Sequence, residues 1–554
     1  MAPFGANASV LDSFLTEIVD SVRHKTAQRI TDLIQLDFDA LSPERRKPYS
    51  DLNQELNQRY PPGSDGPLVA RCKQSLPQEE FGVFSNSFSE CVIQYFRYLR
   101  DFATADNQTK ATKIRQLTRR SQCVIALGDS TYGIIMLPIV LSFSRVLAAV
   151  ATNLDRNPSL IRDSSLLQAQ DTEGGSGKVS FVEDAANVLR EAFIKCLSGS
   201  AGVQRTSRPT PDDRRVGIYL TANSALKLFM RSRKLRNAQQ IFNSIEAQSP
   251  PLSYYPAAQR VTYLYYLGRY HFANNHFLRA QKVLQTAYDQ CHRQAVNHRR
   301  LILIYLVAAN IIIGRFPTPV LLSRPEAADI GARFTPLCQI IRSGDLGSFY
   351  RYLDLESECG QWFLKRSILF QLRNRCEILV WRSLIRKCFL FVGYKGEEKK
   401  VPFLKLNYVQ YGARWALDRQ NPARLVNTRN SASEKYLDPE FAGLDEAIKE
   451  TGFDPETGQY HDEYIGQDPP DDDEPEESPT LAEVESVVLS LIQQGLLKGF
   501  ALHAIPRFAI PGSSHKGGPL KRGFPQVWGV ISGRVDGPSV PGWVEEGSLD
   551  GRIH

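Results

Sequence analysis

Hydrophobic residues recur at helical spacing along most of the chain, and polar stretches separate the helical segments. No stretch before residue 495 shows the alternation of a strand. Residues 41–67, 155–180 and 198–215 are rich in Gly, Pro, Ser and charge, which predicts loops or linkers there. We therefore expect a mainly α-helical body, with residues 1–200 forming an N-terminal helical region.

Residues 263–313 predict three short helices, within a helical-repeat region assigned to residues 210–400. Gly268, Ala280 and Ala287 have the spacing of a tetratricopeptide-like unit, in which small residues let paired helices approach closely. An aromatic stripe runs along the same segment. At helical spacing such a stripe favours core packing over a stacking platform for a cofactor or base. Its members are Tyr263, Tyr266, Tyr270 and Phe277.

The last 150 residues have a different pattern. Residues 404–417 predict one helix, and apolar positions from Val484 to Ile492 predict a second helix that ends at Gly495. Residues 500–510 then read as two short strands broken near Pro506. Two helices followed by a strand pair give the outline of a winged helix, assigned to residues 401–418 and 480–530, with a tail at 531–554.

A strongly acidic segment interrupts this predicted winged helix. Between Glu434 and Glu485 nineteen acidic residues face two lysines, a local charge of −17. The chain has 67 basic and 60 acidic residues in all. Outside this segment 65 basic and 41 acidic residues remain, so the rest of the chain carries a net charge of +24. Like charge and few aliphatic residues predict a disordered insertion at residues 419–479. We hypothesise that residues 421–479 fold back on the basic face and compete with nucleic acid.

Composition narrows the class of protein. With 554 residues, 42% of them hydrophobic and 23% charged, the chain matches an ordinary globular protein of two or three domains. Its nine cysteines are scattered, without a C-x-x-C pair, and predict neither a disulfide framework nor a zinc ribbon. Residues 1–20 lack the basic start of a signal peptide. The apolar runs at residues 133–143 and 301–313 are shorter than a bilayer span and predict core helices.

The succession of helical repeats and a winged helix resembles the PCI module of the proteasome lid, the signalosome and an initiation-factor complex. The resemblance is carried by YYLGRYHFANNHFLRAQKVLQTAYDQCHRQAVNHRRLILIYLVAANIIIGRFPT (residues 265–318) and EVESVVLSLIQQGLLKGFALH (residues 483–503). It is closest to the PCI subunit of the nuclear-pore-associated second transcription-and-export (TREX two) complex and to its signalosome-associated relative. It covers roughly residues 210–530, and the acidic insertion departs from its pattern.

This resemblance implies a non-enzymatic scaffold subunit in the nucleus, at the nuclear face of the pore, with the cytoplasm as a further location left open. Its implied partners are a large PCI scaffold protein, a small acidic disordered subunit of the proteasome-lid type, and RNA or DNA. The implied function is to couple transcription to messenger RNA export. The alternative is a signalosome-associated PCI subunit of a sister complex that acts in splicing or transcription.

Candidate site residues follow from the basic body, because cationic side chains gain affinity for phosphates by releasing counterions. Arg293, Arg299 and Arg300, on the repeats, are candidates for binding an acidic partner peptide. The basic residues around the wing lack interleaved aromatics, which predicts little sequence preference. These wing residues are Lys498, Arg507, Lys516, Lys521 and Arg522, with His503 and His515 nearby.

Motifs for enzymatic chemistry are weak. Gly128-Asp129-Ser130 has the order of a GDS-type hydrolase nucleophile, but a helix N-cap by Asp129 or Ser130 explains it more simply. GGSGK at residues 174–178 lacks the spacing of a phosphate-binding loop, and Cys291, His292 and His298 lack a fourth metal ligand. We predict no catalytic residue, no cofactor and no metal.

Overall fold

Helices form most of the chain in the computed structural model, which confirms the mainly α-helical prediction. The structure describes residues 9–35, 42–61, 63–102, 122–129, 131–156, 181–198, 203–204, 210–211, 213–396, 401–419, 479–512 and 518–536. Residues 420–478 of the predicted acidic insertion, 157–180 of a predicted linker and 537–554 of the predicted tail lie outside these ranges.

The elements are numbered in chain order. The helices of the first half are α1 (Val10–Arg23), α2 (Ala27–Leu33), α3 (Pro43–Arg59), α4 (Gly66–Ser75), α5 (Gln78–Phe81), α6 (Val83–Phe102), α7 (Gln122–Leu127), α8 (Gly133–Arg156), α9 (Phe181–Leu197), α10 (Ile218–Arg231), α11 (Leu235–Gln248) and α12 (Ala257–Ala273). Those of the second half are α13 (Phe277–Gln290), α14 (Val296–Ile312), α15 (Pro319–Leu322), α16 (Ile330–Ser343), α17 (Leu346–Tyr352), α18 (Glu358–Leu364), α19 (Leu369–Phe391), α20 (Leu406–Asp418), α21 (Leu481–Gln493), α22 (Pro519–Gly523) and α23 (Val527–Ser532). The strands are β1 (Val203–Gln204), β2 (Thr210–Pro211), β3 (Phe403–Lys405), β4 (Phe500–Leu502) and β5 (Arg507–Ala509), and 3-10 turns cover Asp213–Gly217, Leu252–Tyr254, Pro325–Ala327 and Gly533–Asp536.

The loop predicted at residues 41–67 is wrong, because α3 occupies most of it. Pro43 stands at the helix start, where its missing N–H costs nothing, and Leu52 and Leu56 are buried one turn apart. The rest of α3 is polar, so its two apolar contacts are too few to give a visible periodicity. The short pair of β1 and β2 at residues 203–211 was likewise not predicted.

The described chain divides into two compact units, Met1–Tyr270 with Val283–Arg293, and His271–Lys282 with Gln294–His554. In the first unit α6 packs against α3, α4 and α7. Its aromatic side chains form the local core, where Phe84 stacks on Phe88 with ring centroids 5.0 Å apart. Burial of large rings supplies most of the stabilisation of such a helical layer.

The helix α8 is longer than its apolar run of residues 133–143 suggests. By length and composition alone, Gly133–Asn153 could cross a membrane, so the expectation that this segment is too short is corrected. The helix continues because small and apolar residues follow Phe143 without a helix breaker. Of its most apolar window, 56% is buried inside the fold, as in the core helix of a folded domain.

The small residues of the predicted repeat pair lie where α12 and α13 approach closely. Ala280 and Ala287 are fully buried. A Cβ atom added to Gly268 would lie 2.5 Å from Cγ of Leu284, closer than any packed contact allows. The stripe residues Tyr263 and Phe277 are also buried, as predicted for core packing. Glycine at 268 is therefore a packing requirement of this helix pair.

One disulfide bond joins Cys91 of α6 to Cys123 of α7. A single disulfide bond does not amount to the disulfide framework that the cysteine pattern argued against. The sequence analysis nevertheless did not predict this pairing. The two Cα atoms lie 5.2 Å apart although 32 residues separate them in sequence. The packing of α6 against α7 brings them together, and no spacing motif in the sequence marks such a contact.

In the second unit, α14 is buried along most of its length, which confirms the core helix predicted from residues 301–313. The long helix α19 packs against α16, α14 and α20. Positive φ at Gly344 (72°) lets α16 end against the backbone of Leu384 on α19, where a Cβ would be 2.5 Å from a backbone nitrogen.

The C-terminal helix-and-sheet unit comprises β3, α20, α21, β4 and β5. It contains the two helices and the strand pair of the predicted winged helix, together with a strand that was missed. Residues 403–405 belong to β3, so α20 begins at Leu406 rather than 404. Thr480 and Glu483 form a capping box at the start of α21, and Val484, Val488 and Leu491 are buried along its face. The strands form one antiparallel sheet in the order β3-β5-β4.

Candidate nucleic-acid interface

Strand register sorts the side chains of the three-stranded sheet onto two faces. Leu404 and Phe508 are paired in the central row, and both side chains are fully buried. The rows on either side of it point to the opposite face, because successive residues of a strand alternate. One of these rows holds Phe403, Ala509 and Phe500, and the other holds Lys405, Arg507 and Leu502. We call these six residues the outer sheet face.

Two cations lie side by side on the outer sheet face. Lys405 and Arg507 are directly paired across β3 and β5, and both are partly exposed. Burial lowers the pKa of Lys405, and the positive charge of Arg507 lowers it further. Among the described residues, neither side chain forms an ion pair with a carboxylate. Two adjacent like charges without a counter-charge favour binding of an anion such as a phosphate.

The side chain of Arg507 packs against an aromatic ring of the neighbouring strand. Its guanidinium carbon lies 4.7 Å from the ring centroid of Phe403. Its Nε atom is buried, and no described residue accepts a hydrogen bond from it. Phe403 also contacts Tyr394, with centroids 5.3 Å apart. Aromatic side chains therefore do adjoin the basic residues, contrary to the expectation from sequence, because β3 brings them from about a hundred residues upstream of β5.

Three other predicted residues lie at the far end of the same sheet. Lys498 is exposed, and its backbone N–H donates to the carbonyl of Gly523, 2.9 Å away, next to Lys521 and Arg522. Arg507 pairs instead with Leu502 at the other end of β4, whereas Lys498 lies two residues before that strand begins. The predicted cluster is therefore split between two ends of one sheet. Lys516 lies outside the described residues, as does His515.

Sequence reasoning missed a partly buried arginine that holds this far end in place. Arg382 of α19 donates from Nε to the carbonyl of Leu496 at 3.0 Å and from Nη2 to the carbonyl of Pro525 at 2.5 Å. Burial lowers its pKa to about 10, with a smaller contribution from Arg386. These hydrogen bonds hold the segment just before Lys498 and the segment just after Lys521. No signal in the sequence distinguishes Arg382 from Arg375 and Arg386, which lie on the same side of this helix.

His503, at the end of β4, is exposed and close to a carboxylate. Its Nδ1 lies 2.9 Å from Oε2 of Glu485, a residue of α21. A carboxylate at this edge opposes phosphate binding there, so His503 does not extend the basic surface.

The three arginines predicted to bind a partner peptide differ in their surroundings. Arg293 is exposed at the surface. Arg299 is buried, with Nε 3.0 Å from Oε1 of Glu326, a position that argues against contact with a partner. Arg300 is partly exposed and pairs with Asp329 at 2.6 Å. A cation already neutralised within the fold attracts an acidic peptide less strongly.

The residues of the hydrolase-like motif form a turn. Oδ1 of Asp129 accepts hydrogen bonds from the backbone N–H groups of Thr131 and Tyr132, each at 2.8 Å, just before α8 begins. Both donors precede Gly133, the first residue of α8, so Asp129 closes a turn that leads into the helix and does not cap its first turn, which corrects the predicted N-cap. Ser130 lies outside the described residues. The aspartate of the motif therefore stabilises the turn that precedes α8.

The fold and the sheet define a helical protein with a C-terminal helix-and-sheet unit, and comparison with known proteins gives its family. The chain is 30% identical over 339 residues to a PCI domain-containing protein of Schizosaccharomyces pombe, covering 61% of this chain and 71% of that protein. It is 28% identical to a protein CSN12 homolog of Neurospora crassa, over 59% of this chain and 71% of that protein. It is 26% identical to PCI domain-containing protein 2 of Xenopus laevis, over 46% and 57%.

No protein-family model matches the chain. The similarity to the fission yeast protein, which covers more than two thirds of that relative, nevertheless identifies the class. The chain belongs to the PCI-domain family.

Proposed function

We propose that the protein is a non-enzymatic scaffold and nucleic-acid-binding subunit of a nuclear-pore-associated complex that couples transcription to messenger RNA export. Membership of the PCI family supports the scaffold role. The observation that carries nucleic-acid binding is the pair Lys405 and Arg507, two adjacent cations without a described carboxylate partner on the C-terminal unit, which we interpret as a winged helix.

The proposed protein partners are a large PCI scaffold protein and a small acidic subunit of the proteasome-lid type. Large apolar side chains remain exposed in the second unit, as at protein interfaces. Phe391 at the end of α19 is 84% exposed and Trp415 on α20 is 53% exposed. In this proposal the complex acts in the nucleus, at the nuclear face of the pore.

A second candidate keeps the fold and changes the complex. A relative named as a CSN12 homolog matches a similar share of this chain. This observation supports a signalosome-associated PCI subunit, acting in splicing or transcription, at least as well as it supports the export subunit. The two candidates share assembly and nucleic-acid binding and differ in their protein partners.

Charge reversal tests nucleic-acid binding. Replacing Lys498, Arg507, Lys521 and Arg522 by Glu should abolish binding of RNA and DNA, because phosphate contacts supply the affinity. The matched control reverses four exposed cations of the first unit, Arg45, Lys47, Lys73 and Arg236, and changes the net charge equally. Fluorescence anisotropy at one fixed salt concentration gives the affinities. Equal affinity of the two variants would refute the assignment to the C-terminal unit.

Purification of the tagged protein from its native host at moderate salt, followed by mass spectrometry, separates the two candidates. Recovery of a PCI scaffold, a small acidic subunit and pore proteins supports the export complex. Recovery of signalosome or splicing proteins in their place supports the sister complex. Recovery of the chain alone would contradict the scaffold role in both.

A further inference from the structure

The outer sheet face combines one exposed aromatic ring with two partly exposed cationic side chains. Phe500 on the edge strand β4 is 45% exposed. Small Ala509 separates it from Phe403, since the three residues occupy one row across β4, β5 and β3. The adjacent row, two residues away along the strands, carries Lys405 and Arg507. At about 3.3 Å per residue the rows are roughly 6.6 Å apart, close enough to contact one or two nucleotides together.

Two groups on this face present surfaces for stacking. The exposed ring of Phe500 is one of them. The other is the guanidinium of Arg507, which the ring of Phe403 backs at 4.7 Å. Nucleic-acid bases stack on aromatic rings and on guanidinium planes, and sheets with exposed aromatics use both for unpaired bases. A guanidinium already supported by a ring is fixed in position before the base arrives.

We propose that the outer sheet face binds the unpaired bases of single-stranded nucleic acid, with Phe500 and Arg507 stacking and Lys405 contacting phosphate. The inference rests on the proposed nucleic-acid binding and adds the class of ligand. It replaces the expectation from sequence that stacking is absent. Bases inside a duplex are hidden from a flat face, so the ring of Phe500 contributes only when the strand is unpaired.

Charge favours nucleic acid over a hydrophobic protein segment as the occupant of this face. Lys405 and Arg507 both lie in its second row and no described carboxylate pairs with either, whereas the apolar contribution to that row is Leu502 alone. A hydrophobic partner would have to desolvate both cations without returning a counter-charge. The phosphates of a nucleic acid supply that counter-charge, and its bases cover the ring of Phe500.

Two substitutions that keep the charge test the proposal. In Phe500→Leu the aromatic ring is lost, and in Arg507→Lys the planar group is lost while the charge remains. We expect the double variant of the full chain to bind a 12-nucleotide oligouridine RNA at least tenfold more weakly, since stacking contributes 1–3 kcal/mol per base. Binding to a 12-base-pair duplex should be unchanged. The matched control Phe500→Tyr, which keeps a ring, should bind both probes like the wild type.

Oligothymidine DNA of the same length distinguishes the two sources of unpaired bases, and an equal loss shows that both bind through the same face. Photo-crosslinking of a 4-thiouridine-containing RNA gives a second readout, because the crosslinked peptide should contain Phe500. Thermal unfolding of each variant confirms that the sheet is intact.

The possible failures are distinguishable. If the wild type binds neither probe, the proposed nucleic-acid function fails, and with it this inference. If the wild type binds both probes but the double variant loses both equally or neither, only the stacking face is refuted. If the double variant loses a protein partner while oligouridine binding stays intact, the face is a protein interface and the inference is wrong.

Discussion

The interior of the helical repeats and the outer face of the sheet use the same kinds of residue in opposite ways. Arg299 on α14 is buried against Glu326, and its charge is neutralised inside the fold. Arg507 on β5 rests on Phe403 without a described carboxylate partner, so its charge is available to a ligand. Both residues are arginines in a basic chain, and only the group across from each decides its role. A substitution in the first region should therefore lower the free energy of unfolding, and one in the second region should weaken nucleic-acid binding.

The largest expected effect is the loss of the buried ion pair. Replacing Arg299 by Met removes the arginine partner of the Glu326 carboxylate, whose side chain is only 6% exposed. We expect the free energy of unfolding to fall by about 3–5 kcal/mol. Denaturant unfolding followed by circular dichroism measures this change. Nucleic-acid affinity of the remaining folded protein should stay unchanged.

Two further variants control this prediction. Adding Glu326→Leu to Arg299→Met should recover most of the lost stability, because the unpaired charge is then gone. Arg300→Met, which breaks the more exposed pair with Asp329, should cost less than about 1 kcal/mol. Equal losses from the Arg299 and Arg300 variants would show that burial does not distinguish the two pairs.

A smaller loss is expected from Gly268→Ala in the repeat pair. The added methyl group would lie 2.5 Å from Cγ of the buried Leu284, so α12 and α13 must shift apart. Overpacking of this kind costs about 1–3 kcal/mol, which exceeds the gain in helix propensity. The control is Gly529→Ala on α23, where nothing lies within 4 Å of the added atom. A Gly268 variant as stable as the control would contradict the close approach of the helices.

The sequence predicted the helices far better than the sheet face, and the reason is the range of the interactions. The α13 and α14 helices, the apolar stripe of α21 and the close approach at Gly268 all follow from spacing within a few tens of residues. Strand β3 has three residues, and its partner β5 follows about a hundred residues later, beyond the acidic segment. Nothing near Phe403 or Lys405 indicates that pairing. The carboxylate that removes Arg299 from the surface is 27 residues away and also has no local signal.

On the sheet face, neutralising one cation should change binding without changing stability. In Lys405→Gln one phosphate contact is lost, so the slope of log affinity against log salt should become shallower by about 1. The free energy of unfolding should stay within about 0.5 kcal/mol of the wild type. Anisotropy titrations at several salt concentrations measure the slope. An unchanged slope would mean that Lys405 contacts no phosphate.

The smallest expected effect concerns the acidic residues 421–479, whose competition with nucleic acid remains a prediction. The described chain stops just after α20 and resumes at Pro479, whose carbonyl accepts a hydrogen bond from Nε2 of Gln410 on the same helix at 3.3 Å. The next described strand before α20 is β3, which carries Lys405. Attraction between this segment and the cations of the sheet is strongest at low salt, because the Debye length then exceeds 10 Å. Replacing residues 421–478 by a neutral linker of equal length should therefore tighten RNA binding at low salt and leave it unchanged at high salt. A variant with the same affinity as the wild type at both salt concentrations would show that the acidic segment does not compete for the outer sheet face.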